Sequence, residues 1–295
     1  MGAGLALAVG AVSIGSSAQP APSADPIAVT TGRGVEVGVA VADAPAVRRG
    51  ARQVTPTLPP PQAQWTTGTV ENCRPGELVR GVDTGDERLV TFTYDDGPDP
   101  RWTRAIMDQF ERRDATATFF MIGLNMQRYP DIVREVVDRG FALGNHTVTH
   151  RYSPSTIAAE IRPANDLIRS IADVRTPYFR SPGLVQGSVI DDALRESGQC
   201  YLFTTVVLND HLMPRWSAGQ LCSRFLATLH PGAIVLLHDG GDHQQTALAA
   251  GCMLDGAIAR GYRVVSLMDL LAAGDPYSGP RPRAGHPRSL EVMTE

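Results

Sequence analysis

An α/β fold built on a mainly parallel sheet is the architecture this 295-residue sequence predicts, and three observations predict it. Short apolar runs rich in β-branched and aromatic residues alternate with longer stretches of helical periodicity, the pattern of strands wrapped by helices. Gly and Pro punctuate the joints between them. Asp95 with Asp96, Arg180, Asp210 and His238 each fall at the C-terminal end of a predicted strand. That edge is where sites assemble in parallel α/β folds.

Taken in order, residues 89–94 form a β-rich run and 102–110 then show helical periodicity. Residues 117–122 predict a second strand, and 129–139 a helix closed by Gly140. Residues 141–143 are a brief strand, and 156–171 are helical, with Pro163 expected to kink or divide them. Further strands are predicted at 178–179, 201–208, 234–237 and 263–266, separated by helices near 188–197, 216–229 and 245–260. Closed into a barrel, such a sheet gathers its strand C-termini on one face.

The folded body is expected to span 70–274. Residues 1–24 read as an export signal or anchor segment, apolar from Leu5 to Val12 and followed by Ser16, Ser17 and Ala18, but without the basic start such segments carry. Residues 25–69 read as a Pro/Ala-rich linker, and 275–295, with Pro276, Pro280, Pro282 and Pro287, as a Pro-rich tail. This organisation implies a secreted or envelope-associated protein. Membrane contact is expected only through the N-terminal segment, whose apolar stretch is short of the about 20 residues a span needs.

A 43% hydrophobic content supports a sizeable core, and a net charge of −4 argues against nucleic acid as a partner. All 27 basic residues are Arg. In an exported protein Cys73, Cys200, Cys222 and Cys252 can form disulfides, and three pairings are open. Their wide spacing, without C-x-x-C, argues against a cysteine zinc site.

Five segments carry chemistry: 93–98 (TYDDGP), 146–150 (HTVTH), 180–183 (RSPG), 209–211 (NDH) and 236–239 (LLHD). Alone, Asp95-Asp96-Gly97-Pro98 could be a surface turn. Its functional reading is one carboxylate on a cation and a free neighbour as base, because a divalent cation relieves the repulsion between adjacent carboxylates. His146 and His150 stand four apart, so both imidazoles can face one way from a helical turn or a loop. His238 alone could be a buried structural histidine, Arg180 a surface charge and Asp210 an Asx-turn residue. His211 and His243 read as loop residues rather than ligands. Trp65, Trp102 and Trp216 could serve as core or as sugar platforms.

In order and spacing these segments resemble the polysaccharide deacetylases with a NodB-homology domain, carbohydrate esterase family 4. The likeness covers about residues 80–272 and includes Arg80-Gly81, Asp83-Thr84-Gly85, Ala117-Thr118-Phe119-Phe120, Ile122-Gly123 and Gly144-Asn145-His146. It implies a distorted (β/α)7-type barrel and hydrolysis of acetyl groups from N-acetylated glycans, peptidoglycan or chitin-like, by attack of a metal-bound water. By resemblance, Asp96, His146 and His150 hold a divalent metal, Zn²⁺ first, with Co²⁺ or Fe²⁺ able to occupy the same site. Asp95 is the base, Arg180 orients it, His238 is the acid and Asp210 tunes it. Gly183 donates its N–H to the oxyanion, and Leu236 lines the pocket for the acetyl methyl. The partner implied is a glycan, most naturally a cell-wall polysaccharide.

Three departures bear on the substrate. Tyr94 stands where Phe is usual, Gly183 follows Pro182 where an aromatic residue is usual, and Asp210-His211 replaces Asp-Trp, with Val207 where another Asp is common. Acetylxylan, a small non-sugar amide, or glycan binding without turnover are the alternative readings. Two His and a carboxylate also describe the facial triad of non-haem iron oxygenases, but that leaves Asp95 and His238 without roles.

Overall fold

The structure is a computed structural model and describes residues 72–212 and 216–279. The expected export segment, the linker with Trp65, and residues 280–295 lie outside the described residues. Among those described, no helix is long and apolar enough to cross a membrane.

Eleven strands and eight α-helices are described. The strands are β1 (Leu78–Val79), β2 (Gly81–Asp83), β3 (Leu89–Asp95), β4 (Ala117–Met121), β5 (Ala142–Asn145), β6 (Tyr178–Phe179), β7 (Cys200–Leu202), β8 (Val206–Val207), β9 (Ala233–His238), β10 (Arg263–Val264) and β11 (Asp275–Tyr277). The helices are α1 (Trp102–Glu111), α2 (Gly123–Arg128), α3 (Pro130–Asp138), α4 (Pro154–Ala172), α5 (Ser188–Ser197), α6 (Ala218–Thr228), α7 (Gln244–Ala259) and α8 (Leu267–Ala273).

The main sheet is parallel, in the order β1-β7-β6-β5-β4-β3-β9-β8, with β10 also on β3. Residues 201–208, expected as one strand, hold two, β7 and β8. At one end they pair with β6 and at the other with β9, so one bent segment meets both ends of the curled sheet. Phe203 N donates to Val79 O and Thr205 N to Ile234 O, which shows where the segment changes partners. This is the curled parallel α/β architecture the sequence predicts, with its barrel distorted at that bend.

β3 is buried along its whole length, as a central strand covered on both faces must be. Its Phe92 and Tyr94 pack against Phe110 of α1, Phe119 of β4 and Phe225 of α6 at ring separations of 5.2 to 6.0 Å. A second apolar cluster joins Ile157 and Ile161 of α4, Ile190 and Leu194 of α5, and Phe179, Tyr201 and Phe203. Gly140, at φ +81°, ends α3 as expected, and Gly198, at φ +74°, ends α5. Trp102 and Trp216 both pack against the core, and the Trp102 indole N–H donates to Gly241 O at 2.9 Å.

Two expectations are corrected. Pro163, expected to kink or divide α4, does not divide it: the helix is continuous over 19 residues. Pro163 and Ala159, whose carbonyl loses its helical donor, both lie on the exposed face where water can replace it. Asp275–Tyr277, expected in the tail, pairs antiparallel with Gly81–Asp83. A two-stranded edge sheet is a place where a strand tolerates Pro276.

The cysteines pair as Cys73–Cys200 and Cys222–Cys252. The first bridge spans 127 residues and ties the chain before β1 to β7, whereas the second spans 30 and joins α6 to α7. Replacing Cys73 and Cys200 by Ser should cost about 2–5 kcal/mol, roughly 1 kcal/mol more than the same change at Cys222 and Cys252, because the longer loop gains more freedom when unfolded. Denaturant unfolding of the two double variants checks both the size and the order.

Candidate active site

Strand register assembles the site. Asp95 lies opposite His238 on one side and Phe120 on the other, and Asn145, the last residue of β5, lies opposite Phe179. Asp95-Asp96, His146, Arg180 and His238 are therefore delivered to one edge by four strands.

Arg180 anchors Asp95. Its side chain is fully buried, and Nη1 donates to Asp95 Oδ1 at 2.8 Å and to Thr93 Oγ1 at 2.7 Å. Nε donates to Leu202 O and Nη2 to Phe203 O, the carbonyls at the bend between β7 and β8. The guanidinium also lies 4.2 Å over the Phe120 ring. The bend that distorts the sheet thus supplies acceptors to a buried cation, which needs every donor met.

The first three candidate ligands converge. Asp96 Oδ1 is 3.3 Å from His146 Nε2 and 3.1 Å from His150 Nε2. Asp96 takes φ +75°, an uncommon conformation that Asp tolerates, and its carbonyl accepts from Asn125 Nδ2 at 2.7 Å. Burial would raise its carboxyl, but the facing imidazoles of His146 and His150 outweigh that and hold it well below the usual carboxylate range. Burial would likewise lower His146, yet the charges of Asp95 and Asp96 leave it raised. His146 Nδ1 sits 2.8 Å from Arg180 O, which makes it the protonated nitrogen and leaves Nε2 with its lone pair toward Asp96.

The two imidazoles do not meet by helical geometry. Thr147 and His150 both have positive φ, so residues 146–150 form a loop. Glu160 on α4 holds it, accepting from Val148 N, Thr149 N and Thr149 Oγ1, while Asn145 Oδ1 accepts from Thr147 N at 2.8 Å. Glu160 had no signature in the sequence, because it acts from a helix beginning eight residues beyond His146.

On the other side, His238 Nδ1 is 2.8 Å from Asp210 Oδ1, and Asp210 Oδ2 accepts from His238 N and Thr246 Oγ1. Burial opposes a charged imidazole, but Asp210, then Asp95 and Asp96, push His238 up to about 9. His211 packs edge-on against His238 at 4.8 Å and His243 stacks on it at 5.4 Å. Both are loop or helix-entry residues, as expected, and burial first, with the His238 charge, lowers both. Asp210, His238 and His243 also lie close enough to form a second ligand group. Asp210 already bonds His238 and Thr246, however, and so forms a hydrogen-bonded carboxylate–imidazole pair.

Asp239 closes the last of the five segments. It is fully buried, accepts from Thr103 Oγ1, and its N donates to Asp95 O at 3.0 Å. Its carboxylate fills the space beside Gly97, where any side chain would collide with it. Burial raises it to about 7. The cue was present in the sequence: an acid directly after the histidine that ends a wholly apolar run.

Leu236, buried, precedes His238 by two residues on the same strand face and pairs with Thr93 and Val207. Gly183 lies in a single 3-10 turn, Pro182–Leu184, at φ +59°. All nine candidate residues therefore lie on the strand C-terminal edge or in its loops.

Comparison with known proteins agrees. The family model described as polysaccharide deacetylase matches residues 82–201. A peptidoglycan-N-acetylglucosamine deacetylase of Bacillus cereus is 34% identical over 196 residues, covering 63% of this chain and 89% of that protein. A chitooligosaccharide deacetylase of Bradyrhizobium sp. is 32% identical over 163 residues, covering 54% and 74%. Among solved structures, a carbohydrate esterase family 4 pseudoenzyme from Bacillus anthracis superposes with a TM-score of 0.61 at 22% identity, over 66% of this chain and 69% of that one. That last likeness bears on the fold alone; the sequence relatives place this chain in the polysaccharide deacetylase family.

Proposed function

We propose that this chain is a metal-dependent deacetylase of N-acetylated glycans, peptidoglycan or chitin-like, releasing acetate. The observation that carries the reading is Asp96 Oδ1, a buried oxygen without a hydrogen bond, facing the Nε2 atoms of His146 and His150 beside Asp95 and His238. Two imidazoles and a carboxylate fit a divalent cation, Zn²⁺ first and Co²⁺ or Fe²⁺ next. Such a cation, when bound, acidifies water and polarises a carbonyl.

The chain's own residues supply the proton transfers. Asp95 turns Oδ2 toward the His146 Nε2 side, 3.8 Å away, while Arg180 holds Oδ1. Oδ2 is therefore the atom that takes the proton from the attacking water. His238, held at Nδ1 by Asp210, gives its Nε2 proton to the departing sugar nitrogen. Gly183 N–H faces the developing oxyanion, and Leu236 lines the acetyl pocket. The names of the relatives support peptidoglycan and chitooligosaccharide as the substrate class. The two disulfides support export, with residues 1–24 as signal or anchor, since such bonds persist in oxidising compartments.

The test is acetate release by the Zn²⁺-loaded full chain from peptidoglycan, chitooligosaccharide and acetylxylan in parallel. Release from the first two supports the reading. Release from acetylxylan alone moves the substrate class, and none from any, with metal bound, sinks the activity.

A further inference from the structure

Tyr152 lies two residues past His150 and is 61% exposed, the only Phe, Tyr or Trp among the described residues that stands mostly in solvent. Its ring is nevertheless held in place. One contact is edge-to-face with the His150 imidazole, at 5.4 Å and 79°. The other is Gly183, where an added Cβ would come within 3.0 Å of Tyr152 Cδ1 and Cε1. The missing side chain at 183 is thus the space the Tyr152 ring edge occupies. What results is a flat, positioned aromatic surface between a candidate metal ligand and the candidate oxyanion turn, with the rest of the ring open. On the side of the acid, Val207, paired with Leu236, and Leu212, next to His211, are exposed as well and add apolar surface there. An apolar patch at the rim of a site marks a contact surface for what binds there.

We propose that Tyr152 is a specificity-determining residue, its open ring surface receiving the C–H face of a pyranose in the glycan chain beside the sugar being deacetylated. The proposal rests on the glycan reading above. An aromatic ring matches such a ligand because it is apolar across its face and polar only at its tip. Fixing the ring in advance also lowers the ordering cost of binding.

The experiment compares wild type with Tyr152→Ala, Tyr152→Phe and Tyr152→Trp, all full chain and Zn²⁺-loaded. Each is assayed on an N-acetylglucosamine tetramer and on 4-nitrophenyl acetate, which carries no sugar. Tyr152→Ala should raise KM for the tetramer roughly tenfold, the loss expected when about 50 Å² of ring face no longer leaves water. Its kcat on the tetramer and its rate on the ester should stay within about twofold, since the interaction is uniform binding remote from the reacting atoms. Phe and Trp should restore KM. An unchanged KM overturns the proposal. So does a parallel loss on both substrates with less bound metal, which would make Tyr152 only a support for His150. If wild type cleaves the ester and releases nothing from the tetramer, the glycan reading itself fails, a result read before any variant is made.

Discussion

Asp95→Asn should lower kcat by about 10²–10⁴-fold, the share a positioned base contributes, while leaving the bound metal in place. The two halves of that expectation come from different atoms. Asp96, His146 and His150 converge on one point without help from Asp95, so the cation site survives the change. Asn keeps the size of the side chain and still offers a carbonyl oxygen to Arg180, so the 2.8 Å contact at Oδ1 has a substitute. It has no oxygen that takes up a proton. Metal analysis and steady-state kinetics on one preparation separate these effects. A variant within about threefold of wild type would remove the base assignment, and one that loses its metal would make Asp95 a ligand.

His238→Asn should cost kcat by a similar factor of about 10²–10⁴, because it removes the proton given to the leaving nitrogen. The same assignment predicts a pH profile. The acid works only while protonated, and His238 is held protonated up to about 9. Turnover should fall as pH rises through that value. Asp95 and Asp96 contribute to the rise, and a bound cation offsets their part, so the alkaline limb of the loaded enzyme lies at or below about 9. The hydrogen bond and charge of Asp210 are the largest effects favouring the imidazolium. In Asp210→Asn the limb should therefore move toward lower pH, in the direction of an unperturbed imidazole. A limb that stays put, or moves upward, would show that His238 is not the titrating acid.

Much of the chemistry could be read directly because it lies at the ends of apolar runs. β3 and β9 are continuous buried strands, so the residues that interrupt their apolar character, Asp95 and His238, are conspicuous. Arg180 by itself carries no clear signal and takes its place only through the resemblance, since the acceptors at Leu202 and Phe203 come from a bend the sequence does not announce. That bend also explains why residues 201–208 looked like one strand. Each half is apolar, and the change of neighbour leaves no mark in composition. The short elements escaped for lack of length: β1 has two residues, α2 six and α8 seven, too few for a period to show. Glu160 and Asn125 escaped because they act across the chain on backbone groups of the His loop and of Asp96. The His146/His150 spacing gave the right pair for a reason the structure does not share. A four-residue separation suggests a helical turn, and the chain brings the rings together through two left-handed residues instead.

The central claim is that Asp96, His146 and His150 hold a divalent cation on which acetate release depends. The measurement that tests it most directly is acetate release from chitooligosaccharide by the full chain, followed through chelation and then titration with Zn²⁺. Activity should vanish with the chelator and return in proportion to Zn²⁺ up to one equivalent per chain, and His146→Ala should show neither binding at that stoichiometry nor recovery. Release that persists in a chain stripped of metal, or full recovery in His146→Ala, would contradict the account.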